Sequence, residues 1–419
     1  MKFAVLTTLA ALALSAPTIA APLDDVAQAY VALVLEYGQA EEGYVDAYYG
    51  PAAWAEAAKA HPRGVPQIEL DAAALLRTLD TAPAEGIDAA RKRFLAAQLR
   101  ALSTRAAMKQ GAHFSFADEA AALFGVRPVL KPLVGYAAVL RRIDRIVPGT
   151  GPLAVRVAAF RKRHEIPPAK LAAVIEASIA ECQARTAAHL ALPKEETFEL
   201  ALVTGKPWGG YNWYQGNYKS LIQVNTDLPV RVGDAVGLGC HEGYPGHHVY
   251  NVLLERNLTK GRGWVEFSVY PLYSPQSFIA EGSANYGIDL AFPGDEKIRF
   301  EQAKLYPIAG LDPKTAPALA ALAKAMRKLA GASYTIADAY LAGRISRDAA
   351  KALVERYQLA DPRRAEQSLK FIDTYRSYII NYGLGRDMVA AHIERSAPAG
   401  RWQRMEALLS EPTLPDDLR

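Results

Sequence analysis

Apolar residues recur with helical spacing over much of this 419-residue chain. The segments that show this spacing are rich in Ala, Leu, Lys, Arg and Glu, which favour helices. Pro168 and Pro317 stand where helices can begin, and Ser346 is a plausible N-cap. The predicted helical segments are 24–39, 84–108, 168–190, 317–329 and 348–358. The pattern therefore predicts a mainly α protein.

One region departs from the helical pattern. Segments 197–204 and 220–226 carry Leu-Ala-Leu-Val and Leu-Ile-Gln-Val, which predict two strands. Between them, 206–218 combines aromatic side chains with glycine and asparagine, as ordered loops and hairpins do. This segment is either a surface turn or a wall of a substrate cleft, and its position shortly before a histidine cluster favours the wall.

Composition and charge exclude several classes of protein. With 51% hydrophobic and 22% charged residues, the chain can bury a large core and is not disordered. Its net charge is only +4, and acidic and basic residues are interspersed. Nothing in this pattern predicts a nucleic acid partner or an anionic membrane surface, and it indicates no particular oligomeric state.

The N-terminus resembles a secretory signal peptide. Lys2 precedes an apolar run that is too short to cross a bilayer, and small residues follow it. Residues 1–21 are therefore predicted to be removed by cleavage near Ala20 or Ala21, leaving a periplasmic or secreted protein without stable membrane insertion. The chain's two cysteines, Cys182 and Cys240, would then meet an oxidising compartment, where they either pair or remain buried thiols.

Three of the eight histidines fall in the segment Cys240-His241-Glu242-Gly243-Tyr244-Pro245-Gly246-His247-His248. Histidine is the commonest metal ligand, and an adjacent carboxylate is a candidate base. On a straight helix, His247 would point about 240° around the axis from His241, and His248 would lie about 10 Å further along. Pro245-Gly246 makes a straight helix improbable, because proline removes a backbone donor and glycine permits positive φ.

If two residues loop out at this break, His247 takes the position that residue i+4 from His241 would hold on a regular helix. If three residues loop out, His248 takes that position. The smaller distortion favours His247 as the ligand, with His248 behind it or facing the substrate. A third ligand is expected from another helix. Glu281 is the candidate, since Ser274 and Pro275 predict a helix start and small residues flank the carboxylate. The alternative is that Glu281 is an exposed helical charge.

These residues resemble the DUF885 family of predicted zinc hydrolases, which are similar to gluzincin metallopeptidases. The first motif is His-Glu-x-x-Pro-Gly-His-His at 241–248, and the second matches at Glu281, Gly282, Ala284 and Tyr286. The chain departs at Ser283, where the family usually has tryptophan. A weaker match is Tyr-x-x-Gly at 382–385.

The resemblance implies one Zn²⁺ ion bound by His241, His247 and Glu281, with Glu242 as general base. A zinc-bound water whose pKa lies near about 7 would lose its proton to that carboxylate and attack a carbonyl. Tyr382 is the candidate donor to the resulting oxyanion, with His248 as the alternative. Tyr382 is equally consistent with a tyrosine that only packs within a helix.

Function follows as an expectation. We expect a zinc metallopeptidase acting on a peptide or small amide. Arg376 and Arg386 flank Tyr382 and would suit a clamp for a C-terminal carboxylate, which favours a carboxypeptidase-like or dipeptidase-like activity. The alternatives are a zinc amidase or esterase acting on a non-peptide substrate, and a non-catalytic helical binding protein.

The predicted architecture is one large, mainly α unit with a multi-helical metallopeptidase-like fold. A helical N-terminal half, 22–192, packs against a metal-binding catalytic half, 193–419. A small β-hairpin or sheet lines the cleft between them, which is where ligands usually bind.

Overall fold

The computed structural model describes residues 21–419, with side chains from Leu23 onward. Apart from Ala21, the predicted signal peptide at 1–21 lies outside the described residues. Among those residues, no helix is long and apolar enough to cross a membrane.

The fold is mainly α, as the apolar spacing predicted. Each of the five predicted helical segments overlaps a helix of the structure, and Ser346 accepts the N-cap hydrogen bond from the backbone of Ala349. The helices are α1 (Ala21–Ala40), α2 (Ala52–Ala60), α3 (Val65–Thr81), α4 (Gly86–Lys109), α5 (Phe116–Phe124), α6 (Ala137–Ile146), α7 (Leu153–Lys162), α8 (Pro168–Ala187), α9 (Val232–Leu238), α10 (His247–Leu254), α11 (Pro275–Ala291), α12 (Glu296–Phe300), α13 (Tyr306–Ala309), α14 (Ala316–Arg327), α15 (Ala330–Leu341), α16 (Arg347–Tyr357), α17 (Pro362–Tyr375), α18 (Ile380–Ile393) and α19 (Arg401–Ser410).

Two small sheets interrupt the helices. The strands are β1 (Val45–Tyr48), β2 (Thr197–Val203), β3 (Gly210–Gly216), β4 (Lys219–Asn225) and β5 (Val269–Pro271). In the larger sheet, β4 lies between a parallel β2 and an antiparallel β3. The two predicted strands are β2 and β4, and the aromatic segment between them forms β3, which is the first arm of a hairpin with β4. The smaller sheet pairs β1 with β5 and was not predicted.

The N-terminal helices pack directly against the C-terminal half. Arg91 on α4 is buried, and its guanidinium donates to both carboxylate oxygens of the buried Glu266 at 2.6 and 3.0 Å. A third hydrogen bond joins Arg91 to Asp24 on α1. A buried ion pair resists separation because losing one partner strands an uncompensated charge. This pair therefore ties 22–192 to 193–419.

Helices α11 and α18 cross with their backbones nearly in contact. A Cβ atom on Gly282 would lie only 2.7 Å from the carbonyl carbon of Gly385, so a larger residue would force the helices apart. The crossing places the segment that follows α17 beside Glu281 on α11, and both face the candidate site.

Candidate metal centre

The histidine segment is a helix with a tight break in it. Helix α9 continues into a π-helical turn at Gly239–Gly243, the chain is extended at Tyr244, and α10 starts at His247. The amide of Gly246 donates to the carbonyl of Cys240 at 3.0 Å. A Cβ atom on Gly246 would lie 1.9 Å from the carbonyl oxygen of His241, so only glycine fits. The helix therefore resumes one short loop later with His247 as its first residue.

This break brings His247 back to His241. Their Nε2 atoms lie 3.1 Å apart. Glu281 completes the group, with Oε2 at 3.2 Å from Nε2 of His241 and Oε1 at 3.8 Å from Nε2 of His247. Ligands about 2.0–2.1 Å from a tetrahedral zinc lie about 3.3 Å from one another. The distances of 3.1 Å between the two histidines and 3.2 Å between His241 and Glu281 thus match two edges of a zinc-binding tetrahedron.

A second observation supports the same fit. Oε2 of Glu281 is buried and has no hydrogen-bond partner among the described residues. Leaving a buried carboxylate oxygen without a partner is costly, and metal coordination is a usual remedy. Glu281 also lines a cavity of about 1240 Å³ together with both histidines. These donor atoms therefore suit a divalent metal ion, and the site is open to the cavity on one side.

Glu281 is positioned by its helix and by a tyrosine. Ser274 caps α11 by accepting from the backbone of Ser277, and Pro275 begins the helix, as predicted. The hydroxyl of Tyr378 donates to Oε1 of Glu281 at 2.8 Å. Although burial acts the other way, the two histidines hold the pKa of Glu281 well below its usual range. The carboxylate is therefore ionised and oriented.

His247 shows the complementary shift. Burial opposes its protonation, but the Glu281 carboxylate outweighs burial and raises the pKa of His247 to about 9. The positive charge of His247 and the negative charge of Glu281 thus compensate each other.

Glu242 lies beside the group formed by His241, His247 and Glu281. Its carboxylate is buried, and the ligand atoms of Glu242, His241 and His247 all lie within 4.8 Å of one another. Burial raises the pKa of Glu242 and Glu281 adds to the rise, while the two histidines lower it. A carboxylate with a raised pKa accepts a proton more readily near neutral pH, as a general base must.

His248 points away from the cavity. It is fully buried, with Nε2 at 2.8 Å from Oε2 of Glu196 and Nδ1 at 2.8 Å from Oγ of Ser220. Ser220 Oγ donates to Oδ1 of Asn212 at 3.2 Å, and Nδ2 of Asn212 donates to the backbone carbonyl of Glu242 at 2.7 Å. A continuous polar chain thus connects His248 to the candidate base from behind.

Tyr382 lies on the cavity side of the group. Its ring is nearly parallel to that of His241, with centroids 6.4 Å apart. Burial and the nearby carboxylates of Glu281 and Glu242 raise the pKa of Tyr382 well above its usual value. The hydroxyl therefore keeps its proton and can act as a hydrogen-bond donor.

The two arginines of the expected carboxylate clamp are engaged elsewhere. Nε of Arg376 donates to the buried Glu119 at 2.8 Å, and Arg386 donates to Asp289 at 2.6 Å and to Asp387 at 2.7 Å. Neither arginine lines the cavity. The expectation failed because flanking a tyrosine in sequence says nothing about which carboxylate lies opposite each guanidinium.

The aromatic segment supplies a wall of the cavity, which was the favoured alternative. Trp208, Tyr211 and Trp213 all line it, and the rings of Trp208 and Tyr211 stack with centroids 5.3 Å apart. Strand β3 therefore forms part of the cleft.

The structure adds two residues that sequence reasoning missed. Tyr378 contacts Glu281, but nothing distinguishes it among 21 tyrosines. Asp46 on β1 lines the same cavity and lies far away in sequence. In the sequence, Asp46 is an acidic residue near several tyrosines, and this pattern has no spacing that would indicate a binding site.

The two cysteines are paired. Cys182 on α8 and Cys240 form a disulfide with their Cα atoms 5.4 Å apart, which resolves the alternatives left open by the sequence. Since Cys240 directly precedes His241, the bond anchors the π-helical turn to α8.

Comparison with known proteins gives the fold and little more. No family model and no curated protein matches the chain. It is similar to the structure of a predicted lipoprotein from Colwellia psychrerythraea, with a TM-score of 0.52 and 16% identity over 84% of this chain and 68% of that one. A predicted lipoprotein of unknown function from Shewanella oneidensis gives a TM-score of 0.50 and 12% identity, over 87% and 74% of the two chains.

A third similar structure is an M32 carboxypeptidase from Deinococcus radiodurans R1, with a TM-score of 0.36 and 12% identity over 94% of this chain and 89% of that one. That score is too low to support an argument. At these identities the first two structures show a shared fold alone. The resemblance to the DUF885 family therefore rests on the motifs of the sequence.

Proposed function

We propose that this protein is an exported zinc-dependent hydrolase that cleaves peptide bonds and belongs with the DUF885 proteins it resembles. One observation carries the proposal. Two histidine nitrogens and the unpartnered oxygen of Glu281 converge to 3.1 and 3.2 Å in a cavity that also receives the carboxylate of Glu242.

The residues divide the chemistry between them. His241, His247 and Glu281 would hold one Zn²⁺ ion. When bound, zinc lowers the pKa of a coordinated water toward about 7 and polarises a substrate carbonyl. The Glu242 carboxylate accepts the proton of the attacking water and returns it to the leaving nitrogen.

Tyr382 and the polar chain complete the arrangement. The Tyr382 hydroxyl donates to the oxygen that gains charge when the carbonyl is attacked, where a fixed donor is worth about 10²–10³ in rate. Asn212 holds the main chain of Glu242 and so orients its carboxylate. His248 acts through Ser220 and Asn212 and does not touch the substrate.

Export is part of the proposal. It is supported by the signal-like N-terminus and by the Cys182–Cys240 disulfide, since disulfides persist in oxidising compartments. The two similar structures of predicted lipoproteins agree with an exported protein.

The test begins with protein purified without chelator. We expect about one zinc per chain by elemental mass spectrometry and cleavage of a peptide library that dialysis against a chelator abolishes and added zinc restores. Glu242→Gln should retain zinc and lose cleavage by about 10²–10⁴-fold.

The matched control is Glu42→Gln. Glu42 also lines the cavity but is exposed to solvent and forms no ion pair among the described residues, so its loss should leave turnover close to that of the wild type. Zinc-free protein, or cleavage that survives in Glu242→Gln, would refute the proposal. Hydrolysis of esters or non-peptide amides with no peptide cleavage would point to the amidase alternative.

A further inference from the structure

We propose that Asp46 and the tyrosines around it bind the free amino terminus of the substrate, which would make this protein an exopeptidase specific for unblocked peptides. This inference rests on the proposed function and adds the substrate class. An amine-binding site differs from the expected clamp for a C-terminal carboxylate, whose two candidate arginines, Arg376 and Arg386, already pair with other carboxylates.

Asp46 reaches the site through a sheet that joins two segments far apart in the chain. Strand β1 pairs antiparallel with β5, with Val45 opposite Pro271 and Ala47 opposite Tyr270. Between these two pairs, Asp46 lines the cavity that also contains the metal-ligand group. A ligand held at Asp46 therefore occupies the cavity in which hydrolysis would take place.

The Asp46 carboxylate has a hydrogen-bond donor but no lysine or arginine partner. The hydroxyl of Tyr211 donates to Oδ1 at 2.6 Å and lies 3.2 Å from the Asp46 backbone oxygen. Among the described residues, no lysine or arginine forms an ion pair with Asp46. The charged side chains that act on it are His247, Glu281 and Glu242, two of them anionic.

The lysines and arginines that line the cavity either form ion pairs with other acidic residues or are exposed to solvent. Arg105 is paired with Glu41, Lys297 with Glu301 and Arg364 with Asp361. Lys206 and Arg327 are exposed to solvent. An ionised carboxylate in a partly buried position without a lysine or arginine partner is unfavourable, and an ammonium group brought by the ligand would relieve that cost.

Three tyrosines add aromatic surface to the cavity that contains Asp46. Tyr211, Tyr270 and Tyr375 line this cavity, and Tyr211 is the tyrosine that donates a hydrogen bond to Asp46. Trp208 stacks on Tyr211 and extends this aromatic surface. The faces of aromatic rings attract cations, and a carboxylate framed by such rings is suited to an ammonium group.

An ammonium ion held beside a peptide-cleaving metal centre is most simply the substrate's own α-amino group. The Asp46 carboxylate, which no described lysine or arginine neutralises, favours that end of a peptide over its C-terminal carboxylate. The class of substrate is thus a short peptide with a free amino terminus.

The experiment measures binding before turnover. Zinc-loaded Glu242→Gln protein is titrated calorimetrically with tri-alanine and with N-acetyl tri-alanine, in which an acetyl group removes the positive charge of the amino terminus. We expect the free peptide to bind about 30-fold or more tightly than the acetylated one. The added Asp46→Asn change should remove that preference with zinc content unchanged.

Asp289→Asn is the matched control, since Asp289 lines the same cavity but is paired with Arg386 at 2.6 Å. It should preserve the preference. Equal binding of the two peptides, binding of neither, or a preference that persists in Asp46→Asn overturns the inference. Loss of zinc from Asp46→Asn also overturns it, because Asp46 would then be a metal ligand.

Turnover separates this inference from the proposed function. If tri-alanine binds with the expected Asp46-dependent preference but the wild type does not cleave it or any library peptide, the amine site stands and the hydrolase proposal fails. If the library is cleaved without regard to N-acetylation, the hydrolase proposal stands and the amine site fails.

Discussion

The Nε2 atoms of His241 and His247 lie 3.1 Å apart although the two residues are six positions apart in the chain. A straight helix cannot achieve this, because residues at that spacing point about 240° apart around the axis. A π-helical turn and a glycine pressed against the carbonyl of His241 shorten the path. The interruption of the motif is therefore the feature that closes the metal-ligand group.

The two adjacent histidines should respond differently to substitution. His247→Ala removes a proposed zinc ligand. We expect the zinc affinity of this variant to fall by more than the factor of about 10–100 that is typical when a residue behind a metal ligand is lost. His248→Asn should retain stoichiometric zinc, since His248 contacts Glu196 and Ser220. Equilibrium dialysis followed by elemental analysis measures both. Equal zinc loss in the two variants would contradict the assignment.

Tyr382→Phe should lower kcat by about 10²–10³ with little change in KM, because its hydroxyl is expected to act only on the developing oxyanion. Tyr273→Phe is the control, as Tyr273 lines the cavity but donates to the backbone of Thr374 at 3.0 Å. Steady-state kinetics on one cleaved peptide checks both variants. An unchanged kcat in Tyr382→Phe would exclude the role.

Removing the support of the base should also slow turnover. In Asn212→Ala, the Glu242 carbonyl loses its 2.7 Å hydrogen bond, and we expect kcat to fall about 10-fold or more with zinc retained. Asn225→Ala is a matched change on β4, since Asn225 is also buried and bonds to backbone oxygens of Lys206 and Trp208. Equal effects of the two variants would indicate a general loss of sheet stability.

Asp46→Asn should stabilise the chelator-treated protein at high pH. Burial raises the pKa of Asp46 to about 6, although the Tyr211 hydrogen bond opposes the rise. An unfolded aspartate titrates near about 4, so the stability that this group contributes below about pH 4 is lost as the pH rises through about 6. The variant should therefore gain on the order of 2 kcal/mol by pH 8 and nothing below pH 4.

Urea unfolding from about pH 4 to 8 measures this pH dependence. A difference between the variant and the wild type that does not change with pH would show that the carboxylate titrates alike in the folded and unfolded protein.

Losing the disulfide should destabilise the fold. Cys182 and Cys240 are separated by 58 positions, and replacing both with alanine should lower the free energy of unfolding by about 4 kcal/mol if chain entropy dominates. Because the bond holds the turn next to His241, zinc affinity should fall as well. Denaturant unfolding and zinc titration test the two effects, and unchanged zinc affinity would mean that α8 does not position the turn.

Sequence alone predicted what depends on local chemistry. The mainly α fold followed from helical spacing, and β2 and β4 from short aliphatic runs. Motifs and helix geometry also single out His241, His247 and Glu281, which the structure brings together.

The rest depends on which distant segments meet. Strand β1 is four residues long, and its pairing with β5 is set by packing of the two halves, so Asp46 could not be placed beside His247. The partners of Arg376 and Arg386 are carboxylates from other helices, which no local pattern reveals. The cysteine pairing was open for the same reason.

The site draws on segments near opposite ends of the described chain. Asp46 precedes nearly all of the helices, whereas Tyr378 and Tyr382 follow most of them. A ribosome-bound chain from which α18 has not yet emerged cannot possess the complete set of site residues. If the proposed function holds, full peptidase activity therefore begins only after α18 has been synthesised and has folded.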